Sequence, residues 1–268
     1  MIDLHSHILP GLDDGSPDLA TSVEMARVAV ADGITHMACT PHIVSGLYAN
    51  DAHIIKRQVS LLQRALDAAN VSLQLFTGAD VHIAPDLVEK ISRGTIPTLN
   101  GSRYFLFEPP HHVLPPRIEE LAARLIQAHF VPIITHPERL GWIAENYVVI
   151  ENLNRLGCLI QLTADSIVGN FGPLATYYCG RLLDEGRVDI IASDCHGPRI
   201  RSPNLSKARE LLERKLGREE SDRMVLSRPR SILLNEYLSP AGNMEKPAKY
   251  LAEKKTGLLK RLMGGGLS

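Results

Sequence analysis

Cysteine is scarce. Cys39, Cys158, Cys179 and Cys195 are the four in the chain, and no two form a C-x-x-C pair. Scattered cysteines of this kind point to reduced thiols and a cytoplasmic protein. Aromatic residues make up 5% of the chain, too few for a platform on which single-stranded nucleic acid could stack. Neither charge sign is in excess: 29 basic residues face 30 acidic ones. No general case for a nucleic-acid or membrane partner follows. No apolar run is long enough to span a bilayer, and no basic segment followed by an apolar one opens the chain, so no signal peptide is expected. No G-x-G-x-x-G or Walker A sequence follows any predicted strand, which counts against a nucleotide-binding open sheet. Cys195 lacks the C-x-x-x-x-x-R loop that a cysteine phosphatase uses to cradle phosphate. It is expected to point away from any site at a strand end.

What the chain does have is alternation of short apolar runs with helical patterns. The opening run carries Asp3-Leu4-His5-Ser6-His7, two histidines at alternate positions that share a face if the strand continues. A Gly/Pro/Asp-rich loop follows over 8–17. Helices are expected over 18–32, 51–69, 84–93, 117–128, 148–156, 171–185, 205–216, 219–226 and 230–236. Strands are expected over 35–39, 72–77, 104–107, 131–134, 158–162 and 188–192. This is a β-α unit repeated about seven times with strands of the buried, parallel type. The economical solution is an α/β fold of one domain over 1–239, a distorted (β/α)7 barrel, with an open doubly wound sheet as the rival. From about Pro240 the composition turns basic and then glycine-rich. The segment 240–268 reads as a solvated, partly disordered tail, or as a short basic helix over 250–263 for an acidic partner or a membrane surface.

The residues at or just past the strand ends are His5, His7, His42, Asp80, Glu108, His136, Asp194 and His196, with Asp14 in the first loop. In an α/β barrel this edge carries the chemistry. Six strand ends bearing only imidazoles and carboxylates define a candidate metal site. A donor set without thiolate suits Mn²⁺, Fe²⁺ or Zn²⁺. The number of ligands exceeds what one ion takes, so two or three ions are expected.

These segments, together with Asp13-Asp14-Gly15, Thr40-Pro41-His42, Gly78-Ala79-Asp80, Ile96-Pro97-Thr98-Leu99-Asn100, Thr135-His136-Pro137-Glu138-Arg139 and Ala192-Ser193-Asp194-Cys195-His196, resemble the PHP (polymerase and histidinol phosphatase) superfamily. Within it they resemble the manganese-dependent bacterial protein-tyrosine phosphatases of capsule and exopolysaccharide loci (CpsB/YwqE type). The resemblance implies a PHP-type barrel and a trinuclear site. His5, His7 and Asp194 would hold one ion, Glu108 and His136 a second, and Asp14, His42 and His196 a third. Asp80 would bridge the first two, where the family usually has glutamate. It further implies a partner, the phosphotyrosine tail of a bacterial tyrosine kinase that controls polysaccharide synthesis.

The expected reaction is hydrolysis of a phosphate monoester by metal-activated hydroxide, without a phosphoenzyme. Arg139 and Arg201 are the candidates for gripping phosphate through guanidinium forks. Arg139 could instead pair with Glu138 or another acid, and Arg199 and Arg201 could be loop charges. The other classes consistent with the sequence are a histidinol-phosphate phosphatase, a PHP nuclease or phosphodiesterase, and a regulator that binds phosphotyrosine without cleaving it.

Overall fold

The computed structural model of the chain describes residues 1–241. The expected basic tail lies outside them apart from Pro240 and Ala241. The strands are β1 (Ile2–Asp3), β2 (His36–Cys39), β3 (His42–Ile43), β4 (Gln74–Thr77), β5 (Asp80–His82), β6 (Tyr104–Glu108), β7 (Val131–Thr135), β8 (Leu159–Thr163) and β9 (Ile190–Ala192). The helices are α1 (Leu19–Ala31), α2 (Ala52–Ala68), α3 (Leu87–Ser92), α4 (Ile118–Gln127), α5 (Ile143–Leu156), α6 (Ala164–Ile167), α7 (Gly172–Asp184), α8 (Ser206–Leu216), α9 (Arg218–Asp222) and α10 (Arg228–Leu233).

Every strand pairing is parallel, in a three-stranded sheet β1-β2-β4 and a six-stranded sheet β3-β5-β6-β7-β8-β9. The two sheets are halves of one barrel. Only Thr40-Pro41 separates β2 from β3, and only Gly78-Ala79 separates β4 from β5, so nine short strands less two interruptions make seven staves. Pro41 has no N–H to extend the ladder. Gly78 lets two segments approach, since a Cβ there would sit 2.8 Å from Leu99 Cδ2 and 2.9 Å from Thr40 Cγ2. The first and last staves meet where Ser6 bridges Cys195, with His7 N donating to Cys195 O and Asp194 N donating to His5 O, both at 2.9 Å. This is the distorted (β/α)7 barrel expected from the alternation of elements.

The strands have two buried faces, which is why they read as unbroken apolar runs. Tyr104, Leu106, Ile133, Leu159 and Ile190 pack together in one buried cluster. Their neighbours Phe105, Phe107, Ile134, Ile160 and Ile191 belong to the larger cluster shared with the helices. On β6 the same period of two carries Glu108 onto the face of Tyr104 and Leu106, at the C-terminal end. Ile232 and Leu233 of α10 join the smaller cluster, and Tyr104 Oη donates to Glu236 O at 2.7 Å behind them. Asp18 and Asp51 cap α1 and α2, accepting from Thr21 N and Ile54 N at 2.8 Å each. α2 buries Ile55, Val59, Leu62 and Leu66, which recur at helical spacing along one face.

Several helices differ from expectation: α3 begins at Leu87 rather than 84, and α6 was not expected. α5 begins at Ile143, five residues early, because Trp142 is anchored by Nε1 donating to Pro110 O at 2.9 Å. α9 ends at Asp222, and Arg223–Ser227 forms a wider π turn. Pro229 follows it and has no N–H to donate back along the helix. The last helix is Arg228–Leu233 rather than 230–236, and Asn235 in the left-handed region (φ 58°) stops it.

Candidate metal centre

β1 stops at Asp3, so His5 and His7 do not sit on a regular strand as expected. Asp3 Oδ1 accepts from His5 N at 3.2 Å and turns the chain, and Asp3 also accepts from Ser193 N at 3.0 Å. His5 and His7 then flank Ser6, the residue that bridges Cys195. Their rings converge all the same, with the two Nε2 atoms 3.1 Å apart. His136 and Asp194 follow β7 and β9 in the left-handed region, at φ 36° and 53°. A non-glycine residue pays about 1–2 kcal/mol there. Each bends the chain at the end of its strand.

All nine predicted ligands come together. Asp194 Oδ1 lies 3.3 Å from both His5 Nε2 and His7 Nε2. Asp14 Oδ1 lies 3.6 Å from His42 Nε2 and 3.5 Å from His196 Nε2. Glu108 Oε1 lies 3.8 Å from His136 Nε2. Asp80 Oδ2 reaches His5 Nε2 at 3.4 Å, His42 Nδ1 at 3.5 Å and His136 Nε2 at 4.0 Å. The short aspartate therefore touches imidazoles of all three expected groups.

Second partners orient the rings. His5 Nδ1 donates to Gln161 Oε1 at 2.8 Å, His7 Nδ1 to Asp13 Oδ2 at 2.7 Å and His196 Nδ1 to Asp194 O at 2.9 Å. Each bond fixes the proton on Nδ1 and leaves the Nε2 lone pair for the cluster. The charges are strongly coupled. Burial pulls His5 down, but Asp194 and Asp80 outweigh it and lift the imidazole to about 9. Burial likewise opposes the lift on His42, which Glu108 and Asp80 carry to about 10. Burial and then Arg139 hold His136 well below its usual value. Burial works against Asp194, yet His5, His7 and the two arginines keep its carboxyl well below the usual range. His196 lowers Asp14.

The donor set fits divalent cations. Asp80 is fully buried, and neither of its carboxylate oxygens has a hydrogen-bond partner; His42 Nδ1 and His136 Nδ1 are also unpartnered. A buried charge without a partner costs several kcal/mol. Asp14, Asp80, Glu108 and Asp194 set four carboxylates among five imidazoles, more hard and borderline donors than one divalent ion takes. The four cysteines are buried and free, and burial pushes the Cys195 thiol up, so no thiolate competes.

Arg139 does not pair with Glu138. Arg139 Nη1 donates to Asp194 Oδ2, and Arg201 Nη2 donates to the same oxygen at 2.6 Å. Both guanidiniums face Phe171, with Cζ at 4.3 Å and 5.9 Å from the ring centre. Arg199 makes no such contact and lines the same cavity as Arg201. Glu138 is buried and accepts from Thr163 N at 3.0 Å, tying the His136 turn to the end of β8. Four contributors were not singled out from the sequence. Asp13 was visible only as half of a loop aspartate pair, Gln161 sits inside an apolar strand, and Phe171 is a helix-start aromatic. His111, whose Nε2 lies 3.4 Å from Glu108 Oε1, had one signal, its place three residues after Glu108.

A barrel of parallel strands with imidazoles and carboxylates converging at its C-terminal edge defines the metal-dependent hydrolase class of α/β barrels. A family model described as "Capsular polysaccharide synthesis, CpsB/CapC" matches residues 1–234. The chain belongs to the CpsB/CapC family. It is 33% identical over 219 residues to the tyrosine-protein phosphatase YwqE of Bacillus subtilis, covering 82% of this chain and 86% of that one. It is 25% identical over 243 residues to the tyrosine-protein phosphatase CpsB of Streptococcus pneumoniae, covering 89% and 100%. A solved structure from a study of YwqE and CpsB, described as unique metal-dependent tyrosine phosphatases, superposes with a TM-score of 0.86 at 31% identity, covering 90% of this chain and 98% of that one. A lactonase from Listeria monocytogenes shares the fold alone, with a TM-score of 0.54 at 12% identity, covering 88% and 95%. No helix among the described residues is long and apolar enough to cross a membrane.

Proposed function

We propose that this chain is a metal-dependent protein-tyrosine phosphatase, acting on the phosphotyrosine tail of a bacterial tyrosine kinase in capsule or exopolysaccharide synthesis. The observation that carries this is the fully buried Asp80 carboxylate, without a hydrogen-bond donor and surrounded by imidazoles from His5, His42 and His136. The ligands are His5, His7 and Asp194 for one ion, Glu108 and His136 for a second, and Asp14, His42 and His196 for a third, with Asp80 between the first two. Mn²⁺ is the preferred metal, with Fe²⁺ and Zn²⁺ compatible with the same imidazole and carboxylate donors. Bound ions supply a nucleophile from water near neutral pH and screen the charge of the phosphoryl oxygens.

The chain's own side chains do the rest. Arg139 and Arg201 present planar donors that match phosphoryl oxygens. Their shared hold on Asp194 Oδ2 keeps both guanidiniums at one edge of the cluster. A cavity of about 870 Å³ opens beside them, lined by Phe171, Arg199, Ile200, Arg201 and Lys207. An aromatic and basic lining suits a phenyl phosphate on a peptide with acidic neighbours. The phenolate of tyrosine, with a pKa of about 10, leaves with little proton assistance, so no dedicated acid is required.

The test is removal of metal followed by Mn²⁺ addition, with phosphate release from a phosphotyrosyl peptide as the readout. Release should vanish on removal, return with Mn²⁺, and be lost in His136→Ala at saturating Mn²⁺. Metal-independent release, or full activity in that variant, refutes the assignment.

A further inference from the structure

The second group of the centre has one protein ligand fewer than its neighbours, and its bridging residue is short. Asp80 Oδ2 leans away from it, standing 4.0 Å from His136 Nε2 against 3.4 Å from His5 Nε2 and 3.5 Å from His42 Nδ1. Aspartate is one methylene shorter than glutamate, and here its near oxygen stands farthest from His136.

Beside this group stands His111, which none of the three ligand groups includes. His111 Nε2 lies 3.4 Å from Glu108 Oε1, the same oxygen that His136 Nε2 faces at 3.8 Å. Ligand atoms of Glu108, His111 and His136 all lie within 4.8 Å of one another, a spacing that one ion can span. The His111 ring is 5.0 Å from the His136 ring, centre to centre, at a tilt of 35°. The other Glu108 oxygen, Oε2, is turned to His42 Nδ1 at 3.2 Å. Glu108 thus faces two groups at once, one oxygen to each.

His111 is held in place. Its carbonyl accepts from Gly141 N at 2.8 Å, and the preceding carbonyl of Pro110 accepts from Trp142 Nε1 at 2.9 Å. Both anchors lie just beyond Arg139, so the β6–α4 loop is fastened to the segment that carries His136. The side chain is 31% exposed, against 2% for His136 and 7% for Glu108, so it closes the solvent side of the trio.

We propose that His111 Nε2 is the third protein ligand of the Glu108/His136 ion and offsets the short reach of Asp80. The assignment rests on the metal-dependent function above, and metal binding tests it without reference to turnover. Mn²⁺ is titrated calorimetrically into metal-free wild type, His111→Ala and His112→Ala, and bound metal is measured by mass spectrometry after desalting. His112 is exposed and belongs to no ligand group, so its variant should match wild type. His111→Ala should retain one ion fewer per chain, or bind its weakest ion at least about tenfold less tightly. Adding Asp80→Glu to His111→Ala should restore that ion. A titration of His111→Ala that superposes on wild type overturns the ligand role, and failure of Asp80→Glu to restore binding overturns the compensation. Should His111→Ala not fold, diethyl pyrocarbonate labelling of wild type decides the matter. Mn²⁺ should protect His111 and leave His112 reactive; equal labelling overturns the proposal. Wild type that takes up no Mn²⁺ fails the metal-dependent reading itself, a different result from any of these.

Discussion

His7 Nδ1 donates to Asp13 Oδ2 at 2.7 Å, and the carboxylate can only accept. The bond therefore dictates which nitrogen of His7 faces Asp194. Asp13 also accepts from His42 N at 2.9 Å and Gly15 N at 3.0 Å, so one side chain orients a ligand ring and pins two ligand-bearing loops. Asn at this position has one acceptor for three donors. Asp13→Asn should weaken Mn²⁺ binding by about 10–100-fold, the range for loss of a partner behind a metal-bound histidine. Calorimetric titration of the metal-free variant checks this, and unchanged affinity would mean that Asp13 serves the loop alone.

The metal-free protein should lose stability as pH rises. His5 and His42 sit at about 9 and about 10 when folded, above the ordinary value of about 6.5. A base whose folded pKa is raised stabilises fully below its unfolded pKa, and that stabilisation is gone once pH passes the folded value. The melting temperature in chelator should therefore fall between about pH 6.5 and 10. Mn²⁺ requires neutral imidazoles, so the rise in melting temperature on adding it should grow over the same window. Thermal scans at fixed ionic strength with and without Mn²⁺ measure both trends.

The architecture was legible because parallel strands buried on two faces leave unbroken apolar runs, and because β6 keeps its period of two up to Glu108. Most of the ligands were legible because they stand at or near the ends and interruptions of the staves, where few residues are free of packing duty; Asp14 lies in the first loop. Partners that act through hydrogen bonds rather than through position were not. Gln161 looks like a polar interruption of an apolar strand until its Oε1 is seen against His5 Nδ1. The acid that Arg139 meets is Asp194, 55 residues away, and no local spacing could select it over Glu138. His5 and His7 were read as strand neighbours, and their convergence instead depends on Asp3 turning the chain after two residues of strand.

Arg139 and Arg201 should be separable from the metal. Lysine keeps the charge but loses the planar fork. Arg139→Lys and Arg201→Lys should retain wild-type Mn²⁺ content while kcat/KM for a phosphotyrosyl peptide drops by about 10²–10³-fold, comparable to loss of a transition-state donor. Metal analysis beside steady-state kinetics distinguishes the outcomes. Parallel loss of metal would make the arginines supports of Asp194 rather than phosphate binders.

Gly15 and Gly180 should respond oppositely to alanine. A Cβ on Gly15 would lie 2.2 Å from His7 O and 2.4 Å from His7 Cβ, both fixed parts of a ligand residue. The obstacle is space, and the backbone of His7 cannot yield because Ser16 N donates to that same carbonyl at 3.0 Å. Gly15→Ala should destabilise the protein by at least about 1–3 kcal/mol, the usual penalty for overpacking, and lower Mn²⁺ affinity by moving His7. Gly180 lies within α7, and its added Cβ would meet nothing within 4 Å. There alanine removes the entropic penalty of a helical glycine and should stabilise by about 0.5–1 kcal/mol without altering metal binding. Urea melts of both variants, each with and without Mn²⁺, give the two signs. Gly15→Ala with wild-type stability and affinity would show that the Asp13-Asp14-Gly15 loop does not press on His7.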